Sequence, residues 1–506
     1  MLIADLVATS TAVAATRSRK AKVAALAATL AAAEPDELPL VVSYLGGTLP
    51  QRRTGLGWRG LQTMPPPTAS PSLTVTEVHE SFDRLAARSG SGSQQARAAD
   101  VAALFGRATE AEQAWLRGLV TGELRQGALD ALVQEALAAA AEVPLPAVRR
   151  AAMLSGSTVA IALVAFEGEQ ALAAIGLEIG RPVLPMLASS ATDVTAAFAK
   201  IAPDGGPVAV DTKLDGIRIQ VHREGDEVVI ATRSLDDITH RLPEVVELAR
   251  SLPAERFVLD GEALALDDDG RPRPFQETAS RTAQGSGVAV SAYFFDLLHL
   301  DGRDLLDASG EERLAALTGL VPEASLVARL VTSDPAEAEA FAARVVAAGH
   351  EGVVVKSLSA TYDAGRRGAG WVKVKPVHTL DLVVLAVEWG SGRRKGWLSN
   401  IHLGARDPET DGFVMLGKTF KGMTDAILAW QTERFTELAT TPADGSAFVV
   451  QVRPEQVVEI AFDGLQRSTR YPGGLALRFA RVVRYRDDKT ADEADTIDTV
   501  RELAGG

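Results

Sequence analysis

Cysteine is absent from this chain of 506 residues. The absence excludes disulfide bonds, thiolate nucleophiles and zinc sites built on cysteine. Histidine is also scarce: the seven residues show no HExxH-type spacing, so a structural transition-metal site is not expected. A hard cation such as Mg²⁺, held by carboxylates and phosphates, stays open.

The chain also lacks an apolar run long enough to span a membrane, and we expect a cytoplasmic protein without a membrane partner. Its formal net charge of −14 argues against nucleic acid at long range, because DNA repels an acidic protein. The cations are unevenly spread, however, and bunch at 17–22, 52–59 and 149–150. Local basic faces of this kind still allow DNA binding.

The texture of the sequence changes twice along the chain. Residues 1–180 are rich in alanine and leucine, with apolar positions at helical spacing, which predicts an all-helical domain. In 181–376, alternating runs such as 217–222 and 228–232 predict a β-hairpin within a mixed α/β domain. In 377–506, short strand-like runs and one helix predict a small β-barrel such as an OB-fold. The expected fold is therefore multidomain, with α, α+β and β-barrel parts.

The segment 210–218, VDTKLDGIR, contains the first candidate for chemistry. A protonated lysine is a poor nucleophile. Neighbouring cations in a phosphate-binding cleft favour the neutral amine, which can attack phosphorus. The KxDGxR pattern suits an enzyme that attaches a nucleotide to its own Lys213. A surface turn explains the same few positions equally well when they are taken alone.

Two further segments offer carboxylate and aromatic groups. Residues 260–262, DGE, at a predicted strand end, present Glu262 to a ribose hydroxyl or a metal, unless they form a plain turn. Phe295, also at a predicted strand end, is suited to stack on a purine or to pack in the core.

The segment 351–356, EGVVVK, reads as a strand with charged ends. Glu351 would be a Mg²⁺ ligand and Lys356 a phosphate contact. A buried strand with solvated ends is the alternative.

The last two segments are cationic. In 366–375, RRGAGWVKVK, alternation puts Lys373 and Lys375 on one face of a strand, where they repel each other unless an anion lies between them. Solvent-facing lysines on an edge strand are the alternative. The arginine density of 478–489, RFARVVRYRDDK, suits phosphate contacts, although a solvated charge run has the same composition.

Taken together and in this order, the segments resemble motifs I, III, IIIa, IV, V and VI of the covalent nucleotidyltransferases, which include DNA ligases, RNA ligases and mRNA capping enzymes. Within them, the chain resembles the ATP-dependent DNA ligases. Motif VI ends in RDDK at 486–489, similar to the RxDK ending of cellular DNA ligases, and the helical part contains GELRQG at 122–127, similar to a signature of their DNA-binding domain. The lack of cysteine excludes the zinc finger of NAD-dependent ligases. Segments 41–47 and 51–55 are similar to the mycobacterial-type DNA ligase B of actinobacteria.

The resemblance implies a role for each matching position. Lys213 would form the lysyl-AMP phosphoramidate. Asp211, where many relatives have glutamate, would accept a hydrogen bond from the adenine amino group, and Phe295 would stack on adenine. Glu262 would bind ribose and assist metal binding, and Glu351 would be a Mg²⁺ ligand.

The remaining implied roles belong to cations. Arg125 in the helical domain would grip the DNA backbone without sequence preference. The other expected contacts are to ribose or phosphate by Arg218 and Arg233, to phosphates by Arg367, Lys373 and Lys375, and to the departing pyrophosphate by Arg486 and Lys489.

The function implied is that of an ATP-dependent DNA ligase. With ATP and Mg²⁺ it would seal nicks between a 5′-phosphate and a 3′-hydroxyl through lysyl-AMP and a DNA-adenylate, in replication, repair or recombination. Nicked duplex DNA would be its partner, and encirclement by one chain favours a monomer. A hinge near 376–381 would let motif VI approach and leave the nucleotide. An RNA ligase or capping-type enzyme, and an inactive DNA-binding clamp, are the alternatives.

Overall fold

The computed structural model describes residues 1–51, 54–90, 92–124, 130–267, 270–273, 275–284, 289–363 and 367–504. Within these ranges, no helix combines the length and apolar character needed to cross a bilayer.

The described chain up to residue 173 is helical, as the composition predicts. Thr74 and Thr109 each begin a helix with a capping box: their side chains accept hydrogen bonds from the amides of Glu77 (3.2 Å) and Glu112 (3.3 Å). Apolar faces meet in one core with fully buried members such as Phe82. The helices are α1 (Ile3–Ala15), α2 (Arg19–Ala31), α3 (Leu38–Leu45), α4 (Val75–Ala87), α5 (Ser93–Phe105), α6 (Glu110–Thr121), α7 (Asp130–Ala140), α8 (Leu145–Leu154), α9 (Ala162–Glu167) and α10 (Glu169–Ala173).

The middle of the chain alternates strands and helices, which confirms the predicted mixed α/β region. Its elements are β1 (Leu187–Ala191), α11 (Val194–Ile201), β2 (Val208–Lys213), β3 (Ile217–Glu224), β4 (Glu227–Thr232), α12 (Pro243–Ser251), β5 (Arg256–Ala265), α13 (Phe275–Gln284), β6 (Val290–Leu300), β7 (Arg303–Asp304), α14 (Gly310–Leu320), β8 (Arg329–Thr332), α15 (Pro335–Ala347), β9 (Gly352–Ser357) and β10 (Arg367–Val374).

Two five-stranded sheets organise this region, in the orders β4-β3-β5-β6-β7 and β1-β10-β9-β2-β8. The hairpin predicted after Lys213 is confirmed as β3 and β4. In the antiparallel register of β3 and β5, Arg218 lies opposite Glu262. In that of β2 and β8, Asp211 lies opposite Arg329. Groups far apart in sequence therefore become cross-strand neighbours.

The prediction that Glu262 and Phe295 stand at strand ends is wrong. Strand β5 continues to Ala265, and β6 continues to Leu300. A Cβ atom at Gly261 would lie 2.7 Å from the Phe294 ring and 2.8 Å from the Tyr293 carbonyl oxygen. The glycine therefore permits a close approach of two strands and does not mark a turn.

The last part of the chain is dominated by antiparallel sheet. The elements are β11 (His378–Trp389), β12 (Leu398–Asp407), β13 (Gly412–Thr419), α16 (Asp425–Glu437), β14 (Val449–Gln451), β15 (Val457–Phe462), β16 (Gly464–Arg467), β17 (Leu475–Arg478), β18 (Arg481–Tyr485) and α17 (Ile497–Leu503). The main sheet has the order β13-β12-β11-β15-β18, with β14 paired to β11, and β16 pairs with β17. Closure of this sheet into the expected OB-type barrel stays a prediction.

The chain divides into two compact units. The first unit comprises Met1–Ser190, Phe198–Ala338 and Val354–Val372. The second unit comprises Ala191–Ala197, Glu339–Val353 and Lys373–Gly506. The three-domain division at residues 180 and 376 stays a prediction.

Gly352, at the start of β9, offers a test of this packing. Its φ is +132°, and an added Cβ atom would lie 2.3 Å from the Val374 carbonyl oxygen. We expect Gly352→Ala to lower the free energy of unfolding by more than about 3 kcal/mol, since it adds a backbone clash to the unfavourable φ. Gly445→Ala, with φ +86° and open space around the added atom, is the control and should cost about 1 kcal/mol. Equal losses in urea titrations would contradict the close approach.

Candidate functional site

Lys213 is the last residue of β2 and is partly exposed. The turn after it passes close to β5: the Gly216 amide donates to a carboxylate oxygen of Glu262 at 3.2 Å. A Cβ atom at Gly216 would lie only 2.4 Å from the Ala263 carbonyl oxygen. Glycine in the KxDG pattern is thus needed to bring the lysine-bearing turn against the strand that carries Glu262.

Glu262 is the carboxylate of this site whose ionisation is poised near neutrality. Burial raises the pKa of Glu262 to about 7, and the nearby Lys213 and Arg218 cations oppose the shift. A buried carboxylate held close to its ionisation point beside two cations is typical of a functional site.

Arg218 is held by a buried carboxylate from the neighbouring strand. Its guanidinium donates to both oxygens of Asp260, at 3.0 and 2.6 Å, and to the Met186 carbonyl oxygen at 2.6 Å. The Tyr362 hydroxyl donates to the same carboxylate at 2.7 Å. Asp260 is fully buried, and a buried charge needs a partner. Arg218 neutralises its charge, and the Tyr362 hydroxyl supplies a further hydrogen bond to its carboxylate.

Asp211 lies two residues before Lys213 and shares its face of β2. Its buried carboxylate forms ion pairs with its cross-strand partner Arg329 and with Lys356 (2.7 Å). Burial alone would raise the pKa of Asp211, but Lys356 and Arg329 hold it below its usual value. The lysine that we predicted as a phosphate contact therefore lies beside Asp211.

Phe295 belongs to the same cluster. The Lys356 ammonium lies 4.6 Å from the centre of its ring, and the Arg218 guanidinium carbon lies 5.5 Å from it. The ring of Trp371 meets it edge-on at 5.9 Å. The Phe295 carbonyl oxygen accepts from Arg329 at 3.1 Å and from Lys356 at 3.2 Å. Phe295, the aromatic residue predicted from motif IIIa, is thus linked to Asp211 through Lys356.

The structure gives less information on three other residues of the predicted site. Arg233 is exposed in the turn after β4. Arg367 begins β10, but its side chain lies outside the described part of the chain. Arg125 also lies outside the described residues.

In the second unit, the predicted metal ligand and a predicted phosphate contact pair with each other. The Lys375 ammonium contacts the Glu351 carboxylate, and it lies 3.8 Å from a carboxylate oxygen of Asp463. Strand β10 ends at Val374, so Lys375 is the first residue after the strand, and the placement of Lys373 and Lys375 on one face stays a prediction.

The predicted pyrophosphate contacts are also paired with carboxylates. Arg486 donates to Asp381 at 2.8 Å and grips Asp488 with two bonds of 2.8 and 2.7 Å. Lys489 donates to the same oxygen of Asp381 at 2.7 Å. The two cations of motif VI therefore form one cluster with Asp381 in the second unit.

The binding of Mg²⁺ by Glu262 and Glu351 stays a prediction. Among the described residues, no group of three or more histidine and carboxylate side chains converges to hold an ion. Mg²⁺ commonly takes only one or two protein carboxylates and completes its shell with phosphates and waters. Glu262 fits this requirement, whereas Glu351 would have to exchange Lys375 for the ion.

Sequence reasoning missed several groups that complete these clusters: Asp260, Arg329, Tyr362, Trp371 and Asp381. A signal existed only for Asp260, which precedes the glycine of the DGE segment. The others lie outside the quoted motif positions or read as ordinary strand residues.

Three families match the chain. The family described as ATP dependent DNA ligase domain matches residues 185–375. ATP dependent DNA ligase C terminal region matches residues 394–489, and DNA ligase N terminus matches residues 59–138. Together these matches cover more than half of the chain.

Similar proteins extend over the whole length. A probable DNA ligase from a Nocardioides species is 72% identical and covers 100% of this chain and 99% of its own length. The DNA ligase B of Mycobacterium tuberculosis is 58% identical over 99% of this chain and 100% of its own. The solved structure described as Pmar-Lig_Pre. is 17% identical, with a TM-score of 0.64 over 95% of this chain and 99% of that one. The last likeness concerns the fold.

The Arg218–Asp260 pair generates a stability prediction. Asp260→Asn should lower the free energy of unfolding by about 3–5 kcal/mol, because it leaves a buried guanidinium without its counter-charge. Asp307→Asn is the matched control: it removes an equally bidentate but exposed pair with Arg150 and should cost at most about 1 kcal/mol. Similar losses for both variants in denaturant titrations would refute the central position of the buried pair.

Proposed function

The chain belongs to the ATP-dependent DNA ligase family and is an enzyme that seals nicks in DNA with ATP, and we propose that Lys213 is the nucleophile that carries AMP. The observation that supports this most strongly is the placement of Lys213. It lies on the same face of β2 as Asp211, beside Glu262 and Arg218 and next to the Asp211–Lys356–Phe295 cluster. A nucleotide needs such a sequence of base, ribose and phosphate contacts leading to one reactive amine.

We propose that Asp211 and Phe295 bind the adenine of ATP. A carboxylate has about four acceptor positions. Arg329 uses two donors and Lys356 one on Asp211, which leaves an acceptor position for the adenine amino group. Lys356 pairs with Asp211 and lies against the Phe295 ring, so it links the two residues that we assign to the adenine base. Glu262, Arg218 and Arg233 are then assigned to the ribose and the phosphates.

In the first step, the neutral Lys213 amine attacks the α-phosphorus of ATP. A P–N bond forms, the P–O bond to pyrophosphate breaks, and the attacking nitrogen, which becomes positively charged as the bond forms, loses one proton to solvent. Negative charge develops on the leaving pyrophosphate, and cations stabilise it. We assign this role to Arg367, Lys373, Lys375, Arg486 and Lys489.

We also propose that Glu262 and Glu351 hold Mg²⁺, which would neutralise charge on the phosphates. The support is chemical: both are carboxylates, which are ligands that Mg²⁺ takes, although each lies beside a cation with which the ion would compete.

The remaining steps transfer AMP to DNA and release it. The 5′-phosphate of the nick attacks lysyl-AMP, which breaks the P–N bond and returns the amine. The 3′-hydroxyl then attacks the adenylated 5′-phosphate, forms the phosphodiester and expels AMP. We propose that Arg125 grips the DNA backbone, and that a single chain acts as a cytoplasmic monomer with three domains.

Labelling tests the nucleophile. With Mg²⁺ and α-labelled ATP, the wild type should retain label after denaturation, and Lys213→Ala should retain none because the attacking amine is gone. Lys200→Ala, which removes a lysine bonded only to the Ser190 carbonyl oxygen in the described chain, is the control and should label normally. Label on Lys213→Ala would refute the assignment.

A separate experiment tests which nucleotide the enzyme uses. We expect nick sealing with ATP but not with NAD or GTP.

The pKa of Glu262 predicts a pH dependence. Because burial raises that pKa to about 7, the carboxylate takes up a proton as the pH falls below 7 and loses its capacity to bind a cation. Burial lowers the pKa of the neighbouring Arg218, but Asp260, Tyr362 and Glu262 together raise it above its usual value, so Arg218 keeps its charge. The rate of self-adenylation should therefore fall below pH 7 with an inflection that is missing from Glu262→Gln.

The measurement is the single-turnover adenylation rate between about pH 5.5 and about pH 8.5. Glu244→Gln, a carboxylate of the same unit that pairs with Arg281, is the control and should keep the inflection of the wild type. An unchanged inflection in Glu262→Gln would assign the titration to another group.

A further inference from the structure

The cations of motif VI converge on a carboxylate that the sequence motifs do not include. Asp381 lies near the start of β11 and is 9% exposed. One of its oxygens accepts from Nη1 of Arg486 at 2.8 Å and from Nζ of Lys489 at 2.7 Å. Two cations that would otherwise repel each other are therefore held within a few ångströms by one negative oxygen.

The position of Asp381 is itself fixed by its backbone. Its amide donates to the Asp495 carboxylate at 2.7 Å, and its carbonyl oxygen accepts from the Asp495 amide at 2.8 Å. In the register of β11 and β15, Asp381 also lies opposite Glu459. The carboxylate is thus attached to a rigid sheet, so the cations that it holds are placed by the sheet and not by their own flexible stems.

Asp381 leaves both cations with donors to spare. A guanidinium has five N–H donors and an ammonium has three. Within the described residues, Arg486 uses one donor on Asp381 and two on Asp488, and Lys489 uses one on Asp381. Two N–H groups of Arg486 and two of Lys489 therefore stay available for the oxygens of a further anion.

The two cations differ in how much they depend on Asp381. Arg486 has a second carboxylate, Asp488, which grips its other edge. In the described part of the chain, Lys489 has no ion pair other than that with Asp381. Loss of the Asp381 charge would therefore release the lysine and leave the arginine only half held.

We propose that Asp381 is a positioning residue for the adenylation step, which holds Arg486 and Lys489 as a preformed pair for the departing pyrophosphate. The inference rests on the proposed role of these two cations. Preorganisation matters here because donors already fixed where charge develops need no reorganisation during the reaction. Asp381 acts only through the pair and does not contact the nucleotide itself.

The variant Asp381→Asn keeps the size of the side chain and removes its charge. We expect single-turnover self-adenylation at saturating ATP to slow roughly tenfold, as for the loss of a charge-assisted hydrogen bond. Reversal of the lysyl-adenylate by added pyrophosphate should need a correspondingly higher pyrophosphate concentration. Sealing of a pre-adenylated nick without ATP should keep the wild-type rate, because no pyrophosphate takes part in that step.

Glu388→Gln is the matched control for a purely structural effect. Glu388 is another buried carboxylate of the second unit, paired with Lys418 and bonded to His402 at 2.9 Å. Its neutralisation should lower the unfolding midpoint without changing the pyrophosphate dependence. A result in which Asp381→Asn slows both adenylation and sealing of the pre-adenylated nick to the same extent would overturn the positioning role.

Arg486→Ala separates the inference from the proposed function. If Arg486→Ala slows adenylation and Asp381→Asn does not, the positioning role is wrong and the assignment of motif VI stands. If Arg486→Ala leaves both adenylation and pyrophosphate reversal unchanged, the motif VI assignment fails and the inference fails with it.

Discussion

The buried ion pair between Arg218 and Asp260 is the interaction on which the proposed nucleotide site of the first unit depends. It joins β3 to β5, and Tyr362 attaches a third segment to the same carboxylate. The Arg218 guanidinium carbon lies 5.5 Å from the centre of the Phe295 ring and 5.6 Å from that of the Trp371 ring. These rings contact Lys356, which in turn pairs with Asp211, two residues before Lys213. Loss of the Arg218–Asp260 pair should therefore disturb the proposed adenine contacts, Asp211 and Phe295, and the proposed nucleophile, Lys213.

The candidate members of this site were easier to name from the sequence than the residues around them. Lys213, Glu262 and Phe295 belong to short patterns whose chemistry is local, so each could be named from a few residues. Arg329 could not be found in this way, because its importance comes from lying opposite Asp211, 118 positions away, in the pairing of β2 and β8. The strand ends were misjudged for a similar reason. In the sequence, Gly261 beside Asp260 is typical of a turn. Only the structure shows that the Phe294 ring packs against Gly261 and that glycine is therefore required within the strand.

Four of the cations assigned to the ribose or the phosphates already have an anion that the protein supplies. Asp260 serves Arg218, Glu351 serves Lys375, and Asp381 serves Arg486 and Lys489. Clustered cations without counter-charges would repel each other and destabilise the fold. The net charge of −14 already counts every cation, so it still opposes DNA at long range. The paired cations can favour a polyanionic substrate only locally, where phosphates contact them.

Nucleotide binding at such a site is an exchange of anions, and its energy is a difference. Phosphate oxygens must compete with carboxylates that are already in place, so ground-state binding gains less than the number of cations suggests. The gain is larger where charge grows during the reaction, since a leaving pyrophosphate attracts the cations more strongly than the bound triphosphate does. Carboxylates that moderate the cations therefore shift stabilisation from the bound substrate towards the transition state. Asp381 suits this purpose better than a fully occupied partner would, because it orders Arg486 and Lys489 while using only two of their eight donors.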